Sequence, residues 1–171
     1  ILPLSGVLAT FGENNKVAAE TAVEDVNAFL AKAGANWKLK LLVEDTETKP
    51  DVALEKLMSL YAKGVKAVVG PMASASVKNL KEYADSNKIV VISPSSTAPA
   101  LGIPDDYIFR FCPTDLIQGP IGPKFAKQVG VTHIIFVWRG DAWGDGLEAE
   151  AKKTAESLGL TVAAEIRYAP E

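Results

Sequence analysis

The sequence predicts an α/β fold in which parallel sheets are flanked by helices. Short apolar runs typical of strands alternate almost without exception with longer segments whose apolar residues recur at helical spacing. This alternation is typical of a parallel sheet covered on both faces. The 171 residues are 48% hydrophobic, which is enough for a packed core and argues against disorder.

The individual elements follow from periodicity and from the glycines that end them. The predicted strands are 1–4, 38–43, 65–69, 89–92, 107–111, 133–138 and 161–168. The predicted helices run from caps at Asn14 and Asn15 to Ala33, and over 51–63, 74–87, about 116–129 and about 145–158. The first residues predict the end of a strand already under way, so we expect the natural N-terminus to precede them.

A domain boundary is predicted where prolines and glycines cluster, at residues 112–119. Residues 1–113 would form most of one α/β unit, and residues 114–171 would begin a second, incomplete one. Two strands and two helices are small for an independent core. We therefore expect the chain to be part of a longer protein.

Composition and motifs exclude several classes of function. The net charge is −3 and the basic residues are scattered, which disfavours nucleic acid as a partner. A single cysteine, Cys112, excludes an internal disulfide and a cysteine-based metal cluster. The only histidine, His133, begins a strand, and the pairs Glu44–Asp45 and Asp105–Asp106 are expected to be solvated. Without a phosphate loop, dinucleotide fingerprint or nucleophile elbow, we expect no cofactor, no metal and no enzymatic activity.

Ser74 is the first candidate binding residue. It begins a predicted helix directly after the strand at 65–69, and ligands of open parallel sheets lie outside the carboxyl ends of the strands. The free N–H groups of a helix N-terminus stabilise a carboxylate or phosphate, and a serine hydroxyl adds a donor. The alternative is that Ser74 or Ser76 caps the helix, which is the commoner role of serine there.

A second candidate segment follows the next strand, where Ser95, Ser96 and Thr97 lie between Pro94 and Pro99. The prolines restrict the backbone. The Ser95 carbonyl and the Thr97 hydroxyl could accept hydrogen bonds from an ammonium group, although a polar surface loop is an equal alternative. One strand end suited to an anion and the next suited to a cation together predict a zwitterionic ligand.

Two aromatic residues complete the candidate set. Phe11 is predicted in a loop before the first helix, and Trp143 in the loop after the strand at 133–138. If both face the cleft, they cover the aliphatic part of a small ligand from opposite sides. Ordinary packing at the core or edge is the alternative for each.

Seven segments spread over nearly the whole chain resemble one family, the type I periplasmic solute-binding proteins related to the branched-chain amino acid receptors of ABC transporters. The resemblance to these extracellular ligand-binding receptors lies in the segments PLSGVLATFG, AAETAVEDVNA, VEDTETKPDVAL, VKAVVGPMASASV, ISPSSTAPAL, FRFCPTDLIQGP and DAWGDGLEAEAKK. The resemblance implies two Rossmann-like lobes that close on a ligand about a hinge near residues 111–115.

Carried over by position, Ser74 resembles the serine that meets the ligand carboxylate. Ser95 and Thr97 resemble the pair that holds carboxylate and ammonium through backbone and hydroxyl groups. Phe11 and Trp143 stand where tyrosines are usual, so two hydroxyls are lost. The family's second-lobe acid for the ammonium would lie beyond residue 171.

The function implied by the resemblance is capture of a small aliphatic amino acid by hinge closure, for delivery to the membrane permease of an ABC importer. The implied location is periplasmic or extracellular, either free or membrane-anchored. Two alternatives remain open: a ligand-sensing domain of a signalling receptor, and the same scaffold binding an amide, urea or an aromatic acid.

Overall fold

The computed structural model describes residues 1–170 and contains two separate parallel sheets. The first has strand order β1-β2-β3 and the second pairs β4 with β5. The strands are β1 Ala67–Val69, β2 Val90–Ser93, β3 Ile108–Arg110, β4 His133–Arg139 and β5 Thr161–Tyr168. The α-helices are α1 Ala9–Lys32, α2 Pro50–Ala62, α3 Ser74–Ser86, α4 Asp115–Gln118, α5 Ile121–Gln128 and α6 Ala142–Ser157, with a 3₁₀ turn at Pro99–Leu101. The predicted α/β class with parallel sheets is confirmed.

The main hydrophobic core lies between the first sheet and helices α2 and α3. Val68 pairs in register with Val91, and Val91 pairs with Ile108. These three strand residues are buried, and they share one cluster with side chains at helical spacing on α2 and α3. The helical members of the cluster are Ala53, Leu57, Leu60, Val77, Leu80 and Ala84.

The predicted strand at 38–43 does not form. Asn27 of α1 donates its side-chain amide to the Leu39 carbonyl at 3.0 Å and accepts the Leu39 N–H at 2.7 Å. The backbone groups of Leu39 that a sheet ladder would use are therefore taken by a side chain. Regular pairing here is limited to one parallel bridge, between Leu2 and Asp45, so the predicted strand at 1–4 is also reduced to a single bridge.

Helix α1 consequently lacks a sheet surface to pack on. Val26 and Phe29, two apolar residues at helical spacing on α1, are 40% and 70% exposed. A cavity of about 450 Å³ separates the helix from β1 and from residues 40–43. The prediction that both faces of the first sheet are covered is therefore wrong for the α1 face, because the strand expected beside β1 is absent.

The start of α1 also differs from the prediction. The helix begins at Ala9, five residues before Asn14. The carboxylate of Asp45 holds the preceding turn, because it accepts the N–H of Leu4 at 2.8 Å and the hydroxyl of Ser5 at 2.7 Å. The expectation that Asp45 is simply solvated was wrong, since it organises this turn.

The second sheet matches its predicted strands closely, from His133 opposite Thr161 to Arg139 opposite Tyr168. The helix predicted at 116–129 is divided into α4 and α5 at Pro120. Proline lacks the N–H that a continuous helix would donate at that point. Gly144, in the first turn of α6, allows a close approach to β4, since a Cβ there would lie 1.9 Å from the Arg139 carbonyl oxygen.

Candidate functional site

Ser74 is buried at the start of α3, and its hydroxyl does not cap its own helix. The capping position is Ala73, which makes no side-chain cap bond. The Ser74 oxygen instead accepts the Ser96 hydroxyl at 3.1 Å and the Ala98 N–H at 3.3 Å. Capping by Ser74 is thus excluded here. Because both bonds use its oxygen as the acceptor, the single hydroxyl proton of Ser74 remains available for donation.

Ser96 is fully buried, at 0% exposure. Its hydroxyl proton is directed to Ser74, and its N–H donates to the Ser93 hydroxyl at 3.2 Å. Ser93 in turn donates to the Pro71 carbonyl at 2.6 Å. The structure therefore places Ser96 behind Ser74, where it orients the hydroxyl of its neighbour.

Arg110 at the end of β3 fixes the same loop from the other side. Its Nη1 donates to the carbonyls of Ser96 at 3.1 Å and Ala98 at 2.8 Å. The Cys112 thiol makes a longer contact, 3.4 Å, with the Ser96 carbonyl. A guanidinium that bridges two carbonyls restrains the backbone between them. Thr97 lies between these two anchored residues.

Thr97 is bonded to the crossover segment through both its backbone and its side chain. Its carbonyl accepts the Asp115 N–H at 3.0 Å, and its hydroxyl donates to Asp115 Oδ2 at 2.8 Å. The Thr97 oxygen therefore retains lone pairs and has no further proton to give. Ser95 is exposed, and its hydroxyl donates to the Met72 carbonyl at 3.3 Å. The predicted residues Ser74, Ser95, Ser96 and Thr97 are thus joined directly or through their immediate neighbours.

The two aromatic candidates lie outside this hydrogen-bonded cluster. Phe11 is in the first turn of α1, so its predicted loop position was wrong, and its side chain is 58% exposed. Its carbonyl accepts the Asn15 amide at 2.8 Å, and that amide also lies 3.6 Å from the Met72 sulfur. Phe11 is therefore linked to the chain just before Ser74 through one intermediate side chain.

Trp143 is half-buried in the first turn of α6, so its predicted loop position was also wrong. Asp141 caps this helix by accepting the Trp143 N–H at 3.1 Å and the Gly144 N–H at 2.9 Å. The Arg139 guanidinium lies 5.4 Å from the centre of the indole ring. Trp143 borders a cavity of about 590 Å³ between α5, α6 and β4.

A cavity of about 400 Å³ lies between the start of α3 and the carboxyl ends of β4 and β5. Its lining includes Leu8, Ala73, Ser76, Arg139, Asp141 and Tyr168. Arg139 and Asp141 form an ion pair there, with a separation of 2.6 Å between Nη2 and Oδ2. Ligands of open parallel sheets bind outside the carboxyl ends of the strands, yet none of the six predicted binding residues lines this cavity.

Three features of the site were not predicted from the sequence. Arg110, Asp115 and the Arg139–Asp141 pair all hold or border the candidate residues, yet the sequence assigned none of them a role in the site. Residues 1–170 contain no group of three or more histidine, cysteine or acidic side chains arranged to hold a metal ion. Within the same residues, no helix is long and apolar enough to cross a membrane.

Known proteins similar to this chain identify its family. The family described as periplasmic binding protein matches residues 1–171. An uncharacterized protein of Methanocaldococcus jannaschii is 46% identical over 99% of this chain and 42% of its own length. A leucine-, isoleucine-, valine-, threonine- and alanine-binding protein of Pseudomonas aeruginosa is 30% identical over 94% of this chain and 43% of its own length.

Among solved structures, a leucine-binding protein of Thermotoga maritima has a TM-score of 0.84 at 22% identity, over 99% of this chain and 47% of that one. This similarity establishes the fold. The chain spans less than half the length of the curated relatives named above. The family is one of solute-binding receptors that act in the periplasm or outside the cell. The chain belongs to the periplasmic binding proteins and has their type I fold.

Proposed function

We propose that the protein binds a small aliphatic amino acid in the cleft between two lobes and delivers it to the permease of an ABC importer. Residues 1–113 belong to the first lobe and residues 114–171 begin the second. The ligand closes the lobes through its higher affinity for the closed state, without chemistry on the ligand.

The opposite hydrogen-bonding characters of two hydroxyls carry this proposal. Ser74 has a proton left to donate because its oxygen already accepts two hydrogen bonds. Thr97 has lone pairs left to accept with because its proton goes to Asp115. A donor at a helix N-terminus suits a carboxylate, and an acceptor suits an ammonium group. These are the two ends of a zwitterionic amino acid.

The aliphatic character of the ligand is supported by the relatives named for leucine, isoleucine and valine. Phe11 and Trp143 are aromatic residues without a side-chain hydroxyl, and if closure brings them to the ligand they favour an apolar side chain on it. Delivery to a permease is supported by family membership alone. A ligand-sensing role would use the same binding site, and it would differ in the partner that recognises the closed lobes.

Thermal unfolding of the intact natural protein against a panel of ligands tests the proposal. The panel contains leucine, isoleucine, valine and alanine, together with amides, urea and aromatic acids. A ligand at 100 times its dissociation constant stabilises the fold by about 2.7 kcal/mol. We expect a rise in melting temperature with aliphatic amino acids. A rise with an amide, urea or an aromatic acid and with no amino acid would refute the zwitterion site.

A further inference from the structure

Asp115 is a buried carboxylate at the crossover between the two sheets. It begins α4 and is 0% exposed. Its Oδ2 accepts the Thr97 hydroxyl, while its Oδ1 is buried without a hydrogen-bond partner among residues 1–170. Burial raises the pKa of Asp115, and the Thr97 hydrogen bond and the Arg110 charge act in the opposite direction. A buried carboxylate with one unpartnered oxygen is costly to keep, so a neutral residue would serve better for packing alone.

The contact that Asp115 makes with Thr97 determines what Thr97 can offer to a ligand. A threonine hydroxyl has one proton and two acceptor sites. Since a carboxylate only accepts, the Thr97 proton must point at Asp115 across the 2.8 Å contact. The hydroxyl can then accept from a ligand N–H and cannot donate to a ligand oxygen.

We infer that Asp115 is a positioning residue that keeps the Thr97 hydroxyl acceptor-only, and that it thereby selects ligands with an ammonium group over analogues with a carbonyl oxygen, which can only accept, at the same position. This inference rests on the proposed zwitterion site. It adds a residue that acts on the ligand through Thr97, and it names the chemical feature that this residue selects.

A backbone hydrogen bond between Asp115 and Thr97 allows the effect of the Asp115 carboxylate on selectivity to be distinguished from a structural role of this residue. The Asp115 N–H donates to the Thr97 carbonyl at 3.0 Å, and this bond survives any change of the Asp115 side chain except proline. Arg110 holds the carbonyls on both sides of Thr97. Removing the carboxylate therefore frees the Thr97 proton while the loop keeps its anchors.

The test compares leucine with its α-keto analogue, 4-methyl-2-oxopentanoate, by calorimetry on the intact natural protein. In Asp115→Ala, the freed Thr97 proton can reach the ligand carbonyl oxygen, whereas in the wild type that oxygen faces an acceptor. We expect the affinity ratio of leucine to the analogue to fall about five- to tenfold, because the analogue gains a hydrogen bond worth about 1 kcal/mol while leucine keeps its bond to the Thr97 oxygen. Equal losses for both ligands would indicate a structural role and overturn the inference.

A double-mutant cycle checks that Asp115 acts through Thr97. In a Thr97→Val background the hydroxyl is absent, so Asp115→Ala should leave the affinity ratio of leucine to the analogue nearly unchanged. A fall in the ratio as large as the one seen with Thr97 present would overturn the inference. If Asp115→Ala does not fold, Asp115→Leu replaces it, since leucine is similar in size and has no oxygen to accept the Thr97 proton, and it should lower the same ratio several-fold. An unchanged ratio in that variant would refute the inference as well.

The ligand panel on the wild-type protein distinguishes failure of this inference from failure of the proposed function. If the wild type binds leucine and the variants keep its selectivity, only the role of Asp115 is refuted. If the wild type binds no ammonium-bearing ligand of the panel, the proposed function and this inference fall together.

Discussion

Replacement of Ser74 by alanine tests the donor half of the site. The change removes an oxygen that is 3% exposed and accepts two hydrogen bonds, from the Ser96 hydroxyl and the Ala98 N–H. Each such bond contributes about 1 kcal/mol net to stability. We therefore expect Ser74→Ala to lower the free energy of unfolding of the ligand-free protein by about 2 kcal/mol.

The same substitution should weaken ligand binding separately. The hydroxyl proton that Ser74 keeps free is the proposed donor to the ligand carboxylate, and a hydrogen bond to a charged group is worth about 1.5–3 kcal/mol. We expect the dissociation constant for leucine to rise at least about tenfold. Stability is measured by urea unfolding without ligand, and affinity by calorimetry at a temperature where the variant is fully folded.

Ser96→Ala is the matched control for this experiment. It removes the other partner of the 3.1 Å contact, yet it leaves Ser74 with its proton and with the Ala98 N–H. We expect a loss of about 1 kcal/mol in stability and a nearly unchanged affinity. The reasoning fails if Ser74→Ala keeps the wild-type affinity, or if Ser96→Ala loses as much affinity as Ser74→Ala.

Three further predictions concern the scaffold. Asp145 pairs with Arg167, whose hydrogen bond is the main cause that lowers the Asp145 pKa from 3.8 to about 2. The stabilisation by this ion pair is therefore complete above pH 3.8 and is lost as the pH falls toward 2. The destabilisation caused by Asp145→Asn should accordingly vanish over that pH range when unfolding is followed in acid. Because both side chains are about half exposed, this destabilisation should not exceed about 1 kcal/mol at neutral pH. Leu57→Ala removes a core side chain that is 1% exposed and should cost about 2–5 kcal/mol in urea unfolding, whereas a loss below about 1 kcal/mol would contradict its place in the core. Gly144→Ala puts a Cβ 1.9 Å from the Arg139 carbonyl oxygen, so the melting temperature should fall by several degrees, and an unchanged value would show that α6 can move away from β4 freely.

The helices and strands that could be predicted from the sequence are those whose formation depends mainly on contacts between residues close in the chain. The final strand was predicted at 161–168 and is found at Thr161–Tyr168, and α3 ends within one residue of its prediction. The segment 38–43 has an equally good alternating pattern. It fails to pair because Asn27, twelve residues earlier than Leu39, takes the backbone groups of that residue. Whether the Leu39 backbone bonds to the Asn27 side chain or to a neighbouring strand cannot be predicted from the sequence of either segment alone.

The candidate site shows the same division between local pattern and long-range contact. The sequence shows hydroxyl-rich segments at the two strand ends that contain Ser74 and Thr97. The assignment of an anion to Ser74 and a cation to Thr97 was an interpretation of the composition of these segments. A hydroxyl, however, can donate or accept, and its residue type does not decide which. That choice depends on Ser96, which lies 22 positions from Ser74, and on Asp115, which lies 18 positions from Thr97. The pairing of opposite hydrogen-bonding characters is thus a property of the fold. A substitution of Asp115 should therefore alter which ligands the site selects, and assigning a ligand requires the hydrogen-bond partners of each hydroxyl as well as the hydroxyl itself.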